Sequence, residues 1–453
     1  MNTNQSKEKQ LLKKLFNDLW PLNRSITGND VRKSHRIISK IIPLKTFEFK
    51  SGRKFNDWII PKEWNVTDAY IKNPLNKKIC NFKENNLHLM GYSIPINKKV
   101  SFSELKKHLF FDTKQKNAIP YKTSYYKKNW GFCIKYKDFK RLKKGKYKVN
   151  IESKLHKGSL TISESYIRGI SKKEILIHCY TCHPSMANNE LSGPLLATLL
   201  ANNLIKKKNY FSYRVIFAPE TIGSNIILNK YEKHFKKNLI GGFVCTCVGI
   251  DNKIHFKMTK QQNTIIDQTV KNYLKKNKIK SKIIPFNPSG SDERQYCSIG
   301  YNLPIASIMT TPYGKYKEYH TSLDNEKIIS FSKLIKIKNI LIGIFKDLEK
   351  CYLQNLVKPS NKIDSKKVNK KGIYPIILIK KGEPQLSRHN IHYKTKDHKF
   401  ADNLTRSIKW LIHYSDGNKT LKEISVISKI HLKELNKAIL VLKKAKLLRL
   451  KKI

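Results

Sequence analysis

Four short polar runs hold the residue types that metal-assisted hydrolysis needs. They are Cys182-His183-Pro184-Ser185, followed by Asn188-Asn189-Glu190; Glu220-Thr221-Ile222-Gly223-Ser224; Ser291-Asp292-Glu293-Arg294; and Glu318-Tyr319-His320-Thr321-Ser322-Leu323-Asp324. Neutral imidazoles and carboxylates are the donors that zinc takes, with one position left open for water. The metal lowers the pKa of that water toward neutrality, and a nearby carboxylate takes its proton. His183 and His320 can be the imidazole ligands, and Glu220 is the natural base.

Each of these residues also has a plainer role available. Glu220 could stabilise the start of a helix through its charge, and Asp292 could cap the residues from Glu293 onward. His178, at the end of an apolar run, could simply hydrogen-bond there.

What would position such a site is a strand–helix alternation over residues 166–350. Apolar runs at Ile175–Ile177, Tyr213–Phe217, Phe243–Val248 and Leu303–Met309 read as buried strands. Helical patterns lie at Leu195–Leu204, from Ile222, at Thr264–Tyr273 and at Ile328–Leu348. Such alternation predicts βαβ crossovers and an α/β fold with a mostly parallel sheet flanked by helices. Ligands then sit beyond the carboxyl ends of the strands, where each polar run falls.

The rest of the chain divides by texture. Residues 1–50 carry an amphipathic helix ending near Trp20 and a second from about Asp30 to Ile42, and belong with 166–350. Residues 51–165 have short strand-like runs and many breaks, and read as a small inserted β-rich domain. Residues 351–372 read as a linker. Residues 373–453 read as a winged helix-turn-helix domain: a strand from Tyr374, helices at Asn403–Tyr414, Thr420–Lys429 and Leu432–Ala445, and a wing at Leu447–Ile453. Thr420 and Glu423 are spaced as a capping box.

The net charge of +58 suggests nucleic acid at first, but of 91 basic residues 80 are Lys and 11 Arg. Phosphate readers favour the bidentate arginine fork. Lysine enriched along the whole chain predicts solvated faces, so nucleic acid is not the favoured partner. No run reaches the roughly 18 apolar residues of a membrane span, and the first 20 residues lack a secretion signal. We therefore expect a cytoplasmic protein with no membrane partner. The eight cysteines are too scattered for a disulfide framework and read as free thiols.

The runs from Ala187 to Gly193, Glu220 to Ser224, Ser291 to Glu293 and His320 to Asp324 resemble signatures of zinc-dependent exopeptidases of the bacterial leucyl aminopeptidase type. The whole chain is identified more closely as similar to an uncharacterised bacterial aminopeptidase-like family with an inserted β domain and a C-terminal winged helix. The runs from Trp20 to Gly28, Cys182 to Ser185, Gly290 to Cys297 and Glu318 to Ser322 carry that likeness.

The resemblance implies His320 as a terminal zinc ligand and Glu220 as general base. It also places Thr221 where a second glutamate would bind metal, Asn189 where an aspartate would bridge two metals, and Thr246 or Cys247 near a further ligand aspartate. One zinc is therefore expected rather than two, held by His183, His320 and Glu190 or Asp292. Glu293, Asn189, Arg294 and Tyr319 are the expected substrate contacts.

The implied activity is hydrolysis of an amide bond in a small peptide or an N-acylated amino sugar, with a link to cell-surface polysaccharide biosynthesis. Two alternatives stand beside it. One is a catalytically silent scaffold with a protein partner on the winged helix. The other is a DNA-binding regulator, whose duplex binding would depend steeply on salt.

Overall fold

The computed structural model describes residues 3–357, 371–391, 395–396 and 400–453. Its centre is an eight-stranded sheet in the order Lys45–Lys50, Ser159–Ile167, Ser212–Ala218, Glu174–Tyr180, Leu239–Cys245, Ile305–Met309, Ile254–Lys257, Ser281–Ile284. The four strands from Ser212–Ala218 to Ile305–Met309 pair in parallel. Antiparallel strands flank this core on both sides.

Both faces of the sheet are covered, which is why its central strands read as unbroken apolar runs rather than alternating ones. Ile175 and Ile177 pack with Phe16, Leu195, Leu199 and Phe345 on one face. Leu176 and Ile216 pack with Ile222, Ile226 and Tyr296 on the other. The helices are Thr3–Leu19, Asn29–Ser39, Ser192–Ile205, Ile265–Lys276 and Phe331–Val357 on the first side and Ile222–Asn238 on the second. Helix Ser192–Ile205 starts so close to the sheet that a Cβ on Gly193 would collide with the Cys245 carbonyl oxygen.

The strand Ser159–Ile167 belongs to this large sheet. The expected insert boundary at 165 therefore falls inside a strand, because alternating residues such as Ser163 and Ser165 hide its membership. Within the insert, an antiparallel sheet runs in the order Lys78–Asn81, Glu63–Lys72, Lys146–His156, Ile96–Ser101. At the other end of the α/β unit, the helix from Phe331 continues to Val357, so the expected linker from 351 begins as helix. Its residues 358–370 lie outside the described part.

The C-terminal unit has helices Asn403–Tyr414, Leu421–Ser428 and Leu432–Lys444, with strands Ile373–Ile377 and Leu448–Lys452 paired antiparallel. The Thr420–Glu423 capping box is present. Its core includes Phe286 and Cys297 of the α/β unit beside Leu411, Leu435 and Leu442, so the two units share one apolar cluster. None of the described helices is long and apolar enough to cross a membrane. All eight cysteines are free thiols.

Candidate active site

The carboxyl ends of the central strands deliver the polar runs to one place. The ring centroids of His183 and His320 lie 5.7 Å apart. Tyr121, from the inserted segment, packs against both, at 5.2 Å and 5.4 Å. Its backbone N–H donates to the His320 carbonyl at 2.9 Å. Tyr319 stacks on His320 at 3.9 Å, and Tyr180 lies 5.2 Å from His183. Burial drives the His183 pKa well below its ordinary value, so this ring is neutral at physiological pH.

Unusual backbone positions these groups. Thr221 has φ 67° and ψ −64°, and the Ile222 N–H donates to the Glu220 carbonyl at 2.8 Å. This is a three-residue γ-turn in its strained form, at a β-branched residue that resists positive φ. Ser185, Cys247 and His320 also have positive φ, each within a loop at the site. Strained backbone costs on the order of 1–3 kcal/mol per residue and gathers at functional sites. Residues Ala187–Leu191 form a π-helical turn, closed by the Leu191 N–H on the Met186 carbonyl at 3.1 Å.

Asp324 ties the two histidine loops together. Its carboxylate accepts from the Asn188 and Asn189 amides at 2.7 and 2.9 Å and from the Tyr316 hydroxyl at 2.8 Å. Burial nevertheless pushes its carboxyl up to about 6.

Glu220 faces a cavity of about 600 Å³, also lined by Cys182, Thr221 and Arg294. The Ser291 hydroxyl donates to its Oε1 at 2.6 Å, and its own amide donates to Cys182 Sγ at 3.2 Å. Burial, with the Asp292 charge nearby, raises the Glu220 carboxyl to about 7. A group that titrates near neutrality can both accept and return a proton there.

Three acids expected at the site are committed elsewhere. Glu190 is buried and accepts from Arg24 Nε at 3.3 and 3.2 Å, from Arg24 Nη2 at 3.1 Å, and from the His183 amide at 2.9 Å. It holds the His183 loop in place and has little left for a metal. Asp292 accepts from the Thr221 amide and the Ser224 hydroxyl, each at 2.7 Å, and lies 3.1 Å from His178 Nε2. Burial disfavours its charge, but His178, Ser224 and the Thr221 amide outweigh that and hold its carboxyl low. Glu293 is wholly buried and pairs with Lys257 at 2.6 Å, so it does not face substrate. Asn189 is buried with its amide against Met186 Sδ, whereas Arg294 does line the cavity.

A catalytic zinc needs about three protein ligands. Among the described residues no group of three or more His, Cys, Asp or Glu side chains is gathered to hold a metal. The donor chemistry says why. Asn189 and Thr221 cannot supply carboxylates, and Glu190 and Asp292 are tied to Arg24 and to His178, Ser224 and Thr221. The residues present do not fit the expected zinc centre; what they keep is a facing pair of imidazoles near Glu220.

Arg24 and Tyr121 carried no signal as site residues. Arg24 is more than 150 positions from the histidine and glutamate loops, and Tyr121 is one of 22 tyrosines. Removing the Glu190 carboxylate (Glu190→Ala) leaves Arg24 buried without its counter-charge. We expect a loss of about 3–5 kcal/mol, measured by chemical denaturation.

The sheet order, the loop convergence and the Glu220 cavity define an aminopeptidase-like α/β protein bearing a C-terminal winged helix. Residues 13–351 match the model of a family described as "Domain of unknown function (DUF4910)", and residues 374–450 match a winged helix-turn-helix model. The chain belongs to that DUF4910 family.

A Clostridium acetobutylicum protein, provisionally named a polysaccharide biosynthesis protein with aminopeptidase-like domain, is 40% identical over 439 residues, covering 96% of this chain and 95% of its own. A C. acetobutylicum crystal structure, provisionally described as a peptidase, is 39% identical, with TM-score 0.74 over 99% of this chain and 98% of that one. A Bacillus subtilis zinc aminopeptidase shares the fold at 12% identity, with TM-score 0.56 over 80% of this chain and 96% of that one.

Proposed function

We propose that this protein is a peptidase-like hydrolase of amide bonds, acting on a small peptide or an N-acylated amino sugar, with Glu220 as the group that moves the proton. The observation that carries this reading is Glu220 itself: a carboxyl raised to about 7, on a strained turn, at the wall of a cavity. Glu220 takes the proton of an attacking water as the oxygen bonds to the carbonyl carbon. It then gives that proton to the nitrogen as the C–N bond breaks. Arg294 lines the same cavity with its guanidinium held by Glu383 and the Thr221 hydroxyl. The provisional name of the C. acetobutylicum relative supports a link to polysaccharide biosynthesis.

A second reading, a silent binding protein on the same fold, is favoured by Asn189 and Thr221 at positions where the resemblance puts acids. Turnover separates the two. The full chain is assayed against aminoacyl amides and N-acetylated amino sugars across pH 5–9. On the hydrolase reading, kcat/KM rises through about pH 7 as Glu220 loses its proton. Absence of turnover on both substrate classes, with and without added zinc, would leave only the binding protein.

The donor set makes a separate prediction. After incubation with zinc and gel filtration, elemental analysis is expected to find well under one equivalent. A retained equivalent that is lost in His320→Ala would overturn the account of the carboxylates given above.

A further inference from the structure

The structure assigns the C-terminal unit a place in the substrate pocket: residues Glu383 to Ser387 and Ile391 line the same cavity as Glu220, and their apolar side chains select amides carrying an apolar group. This rests on the hydrolase reading only for the name of the reaction, since the pocket can be tested by binding.

The cavity beside Glu220 is built from three parts of the chain. Ile222 comes from the α/β unit, Trp58 and Tyr125 from the inserted region, and Pro384, Leu386 and Ile391 from the C-terminal unit. Apolar and aromatic side chains share the lining with Glu220 and Arg294. Ligand pockets of this size, about 300–1,000 Å³, are largely apolar with a few convergent polar groups that fix orientation.

The wall is held firmly. Glu383 is 2% exposed and accepts from Arg294 Nη1 at 2.7 and 2.5 Å, from Gln295 Nε2 at 2.5 Å and from His413 Nε2 at 2.9 Å. The Trp58 indole donates to the Glu383 carbonyl at 2.8 Å. Asp57 accepts from the Gln385 amide at 2.9 Å and from Arg388 and His389 at 2.9 and 2.8 Å. Glu383 therefore links the pocket cation Arg294 to helix Asn403–Tyr414 through His413. The shared apolar cluster with Phe286 and Cys297 makes the same junction from below. A winged helix kept only to grip an outside partner would not need a buried carboxylate to position an arginine in the pocket.

The test compares phenylalaninamide with glycinamide binding to the full chain, followed by ligand-observed NMR titration, in the wild type and in Leu386→Trp and Ser387→Trp. Ser387 lines the cavity but is only half-buried, so its variant keeps the test informative if Leu386→Trp fails to fold. The wild type is expected to bind phenylalaninamide at least about tenfold more tightly, from burial of the ring. The variants are expected to lose that preference, bringing the two amides within about twofold of each other. Equal binding of the two amides by the wild type, or full preference in a folded Ser387→Trp, overturns the assignment. Binding with preference, but no turnover of either amide or of N-acetylated amino sugars, supports the pocket and defeats the hydrolase reading instead.

Discussion

Glu220→Gln is expected to lower turnover about 10²- to 10⁴-fold, the usual contribution of a positioned general base, while leaving amide binding nearly intact. Glutamine keeps the shape and can still receive the Ser291 hydroxyl, but it cannot hold a proton in transit. The same substitution should stabilise the folded chain above pH 7. A carboxyl raised from its ordinary range to about 7 binds its proton more tightly folded than unfolded. Its contribution is therefore fully present below about pH 4.5 and is lost as pH rises through 7. Because Glu220 opens onto cavity solvent, we expect a gain of about 1–2 kcal/mol at pH 8, read as a higher Tm. Glu220→Gln with unchanged turnover would remove the residue from the mechanism, and an unchanged Tm at pH 8 would mean that its charge costs nothing where it sits.

The second large effect is expected at Glu383. Burial works against its charge, yet Arg294 and His413 outweigh burial and hold its carboxyl down to about 2. Glu383→Ala leaves the Arg294 guanidinium and the His413 ring facing a hole. Breaking a buried pair in this way costs about 3–5 kcal/mol. The sign with pH is opposite to that of Glu220. The stabilisation is present above about pH 4.5 and declines as pH falls toward 2, so the gap between wild type and variant should narrow in acid. Denaturation followed by tryptophan fluorescence can report the junction through Trp410, which is 8% exposed in helix Asn403–Tyr414. Glu383→Gln should recover part of the loss, because its amide can still meet His413 and Gln295. An alanine variant that melts like the wild type would mean that the two units are joined by their apolar cluster alone.

The same buried pair shows where residue order is informative and where it is not. The strands around Ile175, Val215 and Phe243 and the helices at Leu195 and Leu432 were legible because periodicity is a local property. So was the gathering of the His183, Glu220 and His320 loops, since loops after parallel strands must fall at one end of a sheet. Three acids expected at the site are committed to other partners. Glu190, Asp292 and Glu293 look like free acids in the chain, but their partners Arg24, His178 and Lys257 lie 166, 114 and 36 positions away. A carboxylate's availability depends on what it already holds, and no local pattern records that.

Sequence alone determined the class of sheet, the convergence of the histidine and glutamate loops, and the presence of a winged helix, because each follows from spacing along one strand, helix or turn. Tertiary structure alone decided which acids are spent on ion pairs, that Glu220 meets a cavity, and that the C-terminal unit lines that same cavity. The physical reason is that these depend on charges and surfaces brought together from distant segments, whose pairing is settled only when the cores of the α/β, inserted and C-terminal units pack against one another.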